Sequence, residues 1–205
     1  MRIIVGIGNP GRRYENNRHN VGFMFLDYLA DSNSLRFIPS KGDYNFASGA
    51  IEDSPFLLIK PSTYVNQSGA AVNQALAELK SGLSDLLVVL DDINLELGSI
   101  RVRPSGGDGG HNGMSSIIYN LNSDQFARIR IGIGNNFFKG EMADYVLSDF
   151  SKEELEMLSK SFLFSKIITE EFIKGGVKQM LDANSRLSSA DSGPEENLDE
   201  NEKNN

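Results

Sequence analysis

The chain of 205 residues has no cysteine, which excludes disulfides, thiolate zinc sites and thiol nucleophiles. It is long enough to bury a core of its own, and no apolar run is long enough to cross a bilayer. The net charge of −8 is unevenly spread: residues 185–205 hold six acids against Arg186 and Lys203, while residues 97–140 set Arg101, Arg103, Arg128, Arg130 and Lys139 against only Asp108 and Asp124.

Met1-Arg2 leads straight into a strand-like run over residues 2–8, so no leader is expected and the cytoplasm is the expected location. That run is apolar without alternation, the pattern of a strand buried on both faces. A polar loop rich in Gly, Asn and Arg follows, and residues 21–30 then read as a well-buried helix. Residues 35–37 and 44–51 read as short strands, and residues 56–60 as another buried strand stopped by Pro61. Residues 70–79 form an Ala/Leu-rich helix, and residues 86–90 a third buried strand ending in Asp91-Asp92. Residues 98–103 alternate, as an edge strand does. A glycine-rich loop, residues 105–113, leads into a helix over residues 114–121, and residues 128–134 make an alternating strand with one arginine-bearing face.

Ser151 and Glu154 have the spacing of a capping box and open a long helix to about residue 174. Gly175-Gly176 interrupts it, and a short helix closes a domain of residues 1–187. Residues 188–205 are acidic and nearly free of apolar side chains, so they are expected to be a disordered tail. Strands alternate with helices. The expected fold is α/β: a single domain, a three-layer sandwich with a twisted, mixed but largely parallel sheet and helices on both faces.

Polar clusters follow three of the strands: Asn9 to Asn20, Asn66, and Asp91. Ligands of open α/β sheets bind outside the carboxyl ends of strands. The two histidines, His19 and His111, both precede an asparagine and the start of a helix. His19 is the sharper candidate, because histidine suits proton transfer near neutral pH. Asp91 is placed to accept from one ring nitrogen and leave the other as base. The alternative is a structural histidine bonded to a backbone carbonyl. Asn9, Asn66 and Asn112 suit the holding of a carbonyl or a water, or else cap helices and form Asx turns. No Gly-x-Ser-x-Gly elbow supports a serine nucleophile, and no metal-ligand spacing is present. Gly6, Gly8 and Gly11 match the dinucleotide fingerprint in form only, since a polar stretch replaces the helix that must start there. The basic stretch suits a phosphate backbone, or is an ordinary solvated strand face.

Taken together, several motifs in one order resemble bacterial peptidyl-tRNA hydrolases. They are Val5-Gly-Ile-Gly-Asn-Pro-Gly11, Tyr14, Arg18-His-Asn20, Lys60-Pro-Ser-Thr-Tyr-Val-Asn66, Ser68-Gly69, Asp91-Asp92, Gly98, the loop Gly106-Gly-Asp-Gly-Gly-His-Asn-Gly113, and Arg128-Ile-Arg-Ile-Gly-Ile-Gly134. The resemblance implies hydrolysis of the ester between peptide and tRNA, with His19 as general base and Asp91 orienting it. It implies that Asn9, Tyr14, Tyr64, Asn66, His111 and Asn112 bind substrate, with His111 at the rim. It implies that Arg103, Arg130 and Lys139 clamp tRNA phosphates, and that residues 144–151 form a mobile lid. No metal or cofactor and no membrane partner are implied, and the expected state is a monomer. Two positions depart from the family pattern: Val65 stands where methionine is usual, and Asn94 where a second aspartate is usual. Competing readings are an RNA-binding module without catalysis and a hydrolase of some other N-acylated ester or amide.

Overall fold

The computed structural model describes residues 1–191. Strand β1 (Arg2–Gly6) lies at the centre of a seven-stranded sheet, as its unbroken apolar run requires. Helix α1 (Val21–Ser32) follows, then β2 (Ile38–Pro39), β3 (Tyr44–Ile51) and β4 (Ser54–Pro61). Helix α2 (Ser68–Leu79) leads to β5 (Leu86–Asp92) and β6 (Ile100–Arg103). Helix α3 (Asn112–Leu121), β7 (Ala127–Gly132), α4 (Met142–Val146) and α5 (Lys152–Asp191) complete the chain.

The sheet order is β2-β3-β4-β1-β5-β7-β6. β1 pairs in parallel with β4 and β5, and β5 with β7, while β2, β3 and β6 join antiparallel at the two sides. The expected mixed, largely parallel sheet and three-layer sandwich are therefore found. Ile4, Leu87, Val89 and Ile129 face α1 and α5; Ile3, Val5, Leu86 and Val88 face α2 and α3. The chain moves from β1 to β4 on one side and then crosses through α2 to β5 on the other. That reversal opens a crevice at the carboxyl ends of β1, β4 and β5, where α/β sheets hold their ligands.

Some boundaries differ from the sequence reading. Residues 35–37 are not a strand, because Leu35 N–H closes the end of α1 on Ala30 O at 2.9 Å. The short strand starts at Ile38 instead. The capping box is present: Ser151 Oγ accepts from Glu154 N–H (3.2 Å) and Glu154 Oε2 from Ser151 N–H (2.8 Å). Gly176, at φ 74°, kinks α5 where the glycine pair was expected to break it. Helix α5 runs on to Asp191, so residues 188–191 are helical rather than disordered. The rest of the expected acidic tail lies outside the described residues.

One glycine sets how closely α1 approaches the sheet. A methyl group at Gly22 would lie 2.5 Å from Val89 O and 2.7 Å from Ile7 N and O. Backbone meets backbone there, and the contact draws the residues just before α1 onto the end of β5. Helix propensity favours alanine by up to about 1 kcal/mol, but overpacking costs typically about 1–3 kcal/mol. Gly22→Ala is therefore expected to lower the melting temperature, read by thermal denaturation.

Candidate active site

All seven residues of β5 are buried, and the last two are Asp91 and Asp92. A buried carboxylate is costly unless paired and hydrogen-bonded. The partners of Asp91 are the two histidines. His19 sits on a 3-10 turn, Arg18–Asn20, that runs into α1. Its Nδ1 lies 2.8 Å from Asp91 Oδ1. His111 Nε2 lies 2.9 Å from the same oxygen. The two rings are 4.8 Å apart between centroids, tilted by 42°.

A carboxylate only accepts, so His19 Nδ1 carries the proton and Nε2 keeps its lone pair. Burial lowers the affinity of His19 for a second proton, but the charge and hydrogen bond of Asp91 outweigh it and raise its pKa above the ordinary histidine value. Burial likewise opposes ionisation of Asp91. The imidazoles of His111 and then His19 outweigh that, holding its carboxyl far below the usual range.

His111 is buried and is not at the rim. It is the N-cap of α3: its Nδ1 accepts from the N–H groups of Gly113 and Met114, both at 3.1 Å.

The asparagines divide between neighbouring places. Asn9 is buried, and its main chain makes a reciprocal pair with the Asn20 side chain: Asn9 N–H donates to Asn20 Oδ1 (2.8 Å) and Asn20 Nδ2 to Asn9 O (3.0 Å). Asn9 Oδ1 accepts from Val65 N–H at 3.1 Å, which ties the first loop to the turn carrying Asn66. Asn66 is exposed and lines a polar groove between α2 and α3 rather than the histidine cavity. Asn112 lines both. Tyr14 and Tyr64 meet edge to face, 6.5 Å between centroids. Val65 is buried, its Cγ1 filling the space beside Gly113. Asn94 holds Asp92 Oδ1 through its backbone N–H (2.9 Å) and its side-chain amide (3.2 Å).

The arginines are less uniform than the sequence suggests. β6 and β7 pair Arg101 with Arg130 and Arg103 with Arg128, which puts all four on one face. Arg128 is nonetheless buried, and its guanidinium holds Gly106 O, Gly107 O, Asp124 O and Phe126 O from beneath the glycine-rich loop. Arg130, 13% exposed at its side chain, makes an ion pair with Asp92 (Nε–Oδ2 2.9 Å) and donates to Asp108 O at 3.2 Å. The Nε contact lacks hydrogen-bond geometry, so charge rather than direction holds it. Arg130 is thus a prop of the loop and not an open cation. Arg103 and Lys139 are exposed.

His19, Asp91, His111, Asn112 and Arg130 line one cavity of about 240 Å³. Asp92, Ile93, Gly109 and Gly110 also line it, and its outer wall is α4, through Met142, Ala143 and Val146, with Leu147 just beyond. The helix over the cleft is therefore Met142–Val146 and not residues 144–151. Its far end is tied to Arg18, next to the catalytic candidate. Arg18 N–H donates to Ser148 O (2.9 Å), and its guanidinium pairs with Glu154 (2.8 Å) and lies over the rings of Tyr145 and Phe150. Sequence reasoning quoted Arg18 and Asn20 as part of a motif but gave neither a role. Their neighbours in space are 11 residues away (Asn9) and 136 residues away (Glu154) along the chain.

His19, Asp91 and His111 also have the residue types of a metal site, with ligand atoms within 4.8 Å of one another. The hydrogen bonds do not suit one. A metal on His111 Nε2 would need an imidazolate, because Nδ1 is already an acceptor from two N–H groups.

A family model described as peptidyl-tRNA hydrolase matches residues 3–191. A peptidyl-tRNA hydrolase of Clostridium beijerinckii is 41% identical over 178 residues, 87% of this chain and 92% of that one. That of Alkaliphilus oremlandii is 41% identical over 177 residues, 86% of this chain and 95% of that one. Among solved structures, the crystal structure of peptidyl-tRNA hydrolase from Acinetobacter baumannii superposes with a TM-score of 0.83 at 30% identity, covering 89% of this chain and 93% of that one.

Proposed function

The chain belongs to the peptidyl-tRNA hydrolase family, an ester hydrolase acting on peptidyl-tRNA, and from that premise we propose that His19 is its general base and Asp91 the residue that orients it. His19 Nε2 takes a proton from a water in the cavity, and the water attacks the ester carbonyl. The C–O bond to the ribose then breaks, and the leaving oxygen takes up the proton held by His19, which frees the base and releases the peptide acid and a reusable tRNA from peptidyl-tRNA shed by ribosomes. An alkoxide leaves more readily than an amide nitrogen, so one base, a fixed water and amide donors suffice. The observation that carries this reading is the 2.8 Å His19 Nδ1–Asp91 Oδ1 contact, which directs Nε2 away from the carboxylate.

Asn112, shared by the cavity and the α2–α3 groove, is assigned to the carbonyl or the peptide next to it. Asn66, in that groove, is assigned to the peptide. The amide oxygen of Asn9 is engaged by Val65, which leaves its NH₂ for the substrate. Tyr14 and Tyr64 offer aromatic faces beside these loops. Arg103 and Lys139, both exposed, are assigned to tRNA phosphates, with Arg130 acting through the loop it supports. The reading takes the enzyme to be a cytoplasmic monomer, on the strength of the family resemblance. Among the described residues no helix is long and apolar enough to cross a membrane.

The test is release of the acyl group from N-acetylaminoacyl-tRNA and from free aminoacyl-tRNA, with chelator present. Rapid release from the first alone, unaffected by chelator, is expected. Binding without release would favour an RNA-binding module instead. Replacing the exposed Arg103 by alanine is expected to weaken tRNA binding and to reduce the slope of log affinity against log salt by about 1. An unchanged slope removes Arg103 from the phosphate contacts. Arg130→Ala is expected to lower turnover as well, because Asp92 loses its counter-charge and the loop its prop.

A further inference from the structure

We propose that His111 is a positioning residue for this reaction: it donates Nε2–H to the Asp91 oxygen that His19 uses, which fixes that carboxylate and limits how tightly His19 holds its proton. The proposal rests on the reading of His19 as base. It departs from the family-based expectation that His111 places substrate at the rim of the cleft.

Three observations carry it. First, the tautomer of His111 is set by the fold. Its Nδ1 accepts from Gly113 and Met114 N–H at 3.1 Å each, so the ring proton belongs on Nε2, 2.9 Å from Asp91 Oδ1. Second, one oxygen serves both imidazoles, at 2.8 Å and 2.9 Å. Each N–H donor stabilises the carboxylate's negative charge, so the bond from His111 leaves less of that charge to act on His19. Third, the His111 side chain is 6% exposed, which leaves little of it for a substrate to touch.

Capping alone does not call for histidine. Asparagine, aspartate or serine caps a helix better, and all are too short to reach Asp91 as well. The extra reach of the imidazole is what links the start of α3 to the end of β5. Other charges facing the cluster are few. Arg130 and Asp92 line the same cavity and neutralise one another, and α4 presents only Met142, Ala143 and Val146, with Leu147 just beyond. On the turn that carries His19, Arg18 is paired with Glu154.

The experiment replaces His111 by asparagine, which keeps a cap for α3 and removes the bond to Asp91. The chain has only two histidines, so His19 is then the sole imidazole and its titration is read directly by NMR. With Asp91 undivided, His19 is expected to titrate at higher pH than in the parent. For N-acetylaminoacyl-tRNA, kcat is expected to fall about ten-fold while KM stays near the parent value. A His19 titration at the parent pH overturns the proposal, and so does a raised KM with kcat retained. Nitrogen NMR of the parent gives a check free of any variant. The Nε2–H tautomer of His111 is expected, and the Nδ1–H tautomer overturns the proposal. Failure of the base reading would show separately, as turnover retained in a His19 variant.

Discussion

Replacing His19 by alanine is expected to lower kcat on N-acetylaminoacyl-tRNA by about 10²–10⁴-fold, the usual contribution of a positioned base. The fold is expected to survive. His19 is partly exposed, on a 3-10 turn whose backbone is held independently through Asn20 and Arg18. Asp91 would keep His111 as partner, so no buried charge is stranded. Affinity for tRNA is also expected to stay close to the parent, because the exposed cations lie on other elements. Turnover within a few-fold of the parent, measured beside tRNA binding, would remove His19 from the base role.

Asp91→Asn is the second large effect. The charge that raises the proton affinity of His19 disappears, and a neutral amide replaces an acceptor that served two N–H donors. If the amide NH₂ turns to His19, the proton moves to Nε2 and the base is lost. If the amide oxygen stays in place, the hydrogen bonds are weaker and the charge is gone. Either way kcat is expected to fall by about 10²–10⁴-fold. The residual activity should have its acid limb at lower pH than the parent, because the effect that raised the pKa of His19 has gone. A full rate, or a limb at the parent position, would contradict the orienting role. Circular dichroism and thermal denaturation separate this from loss of fold.

Much of the architecture was legible because its causes are local. Residues 3–5 of β1 and 86–90 of β5 are apolar without alternation, and such runs are central parallel strands. The Ser151–Glu154 box and the Gly175-Gly176 kink are written in adjacent residues. The His19–Asp91 partnership was legible as chemistry but not as distance, since 72 positions separate them. What escaped the sequence depends on which way side chains face. Arg128 and Arg130 look like solvated strand residues, yet the loop closes over that face and takes up their donors. His111 reads as a loop histidine, and nothing local says that one nitrogen caps α3 while the other reaches β5. Arg18 lies inside a recognised motif, but its partners are on α4 and α5. The boundary at residue 187 was set by composition, and the helix ignores it for one further turn, to Asp191.

The most direct test sets the acid limb of kcat/KM for N-acetylaminoacyl-tRNA beside the NMR titration of His19 in the same free enzyme. The limb reports the base of the free enzyme. His19, with its proton affinity raised by Asp91, must be deprotonated to act, so activity is lost as the pH falls through its pKa. The two curves are expected to coincide, at a pH above the ordinary histidine value. A limb that falls elsewhere, or full activity where His19 is protonated, would contradict His19 as the base.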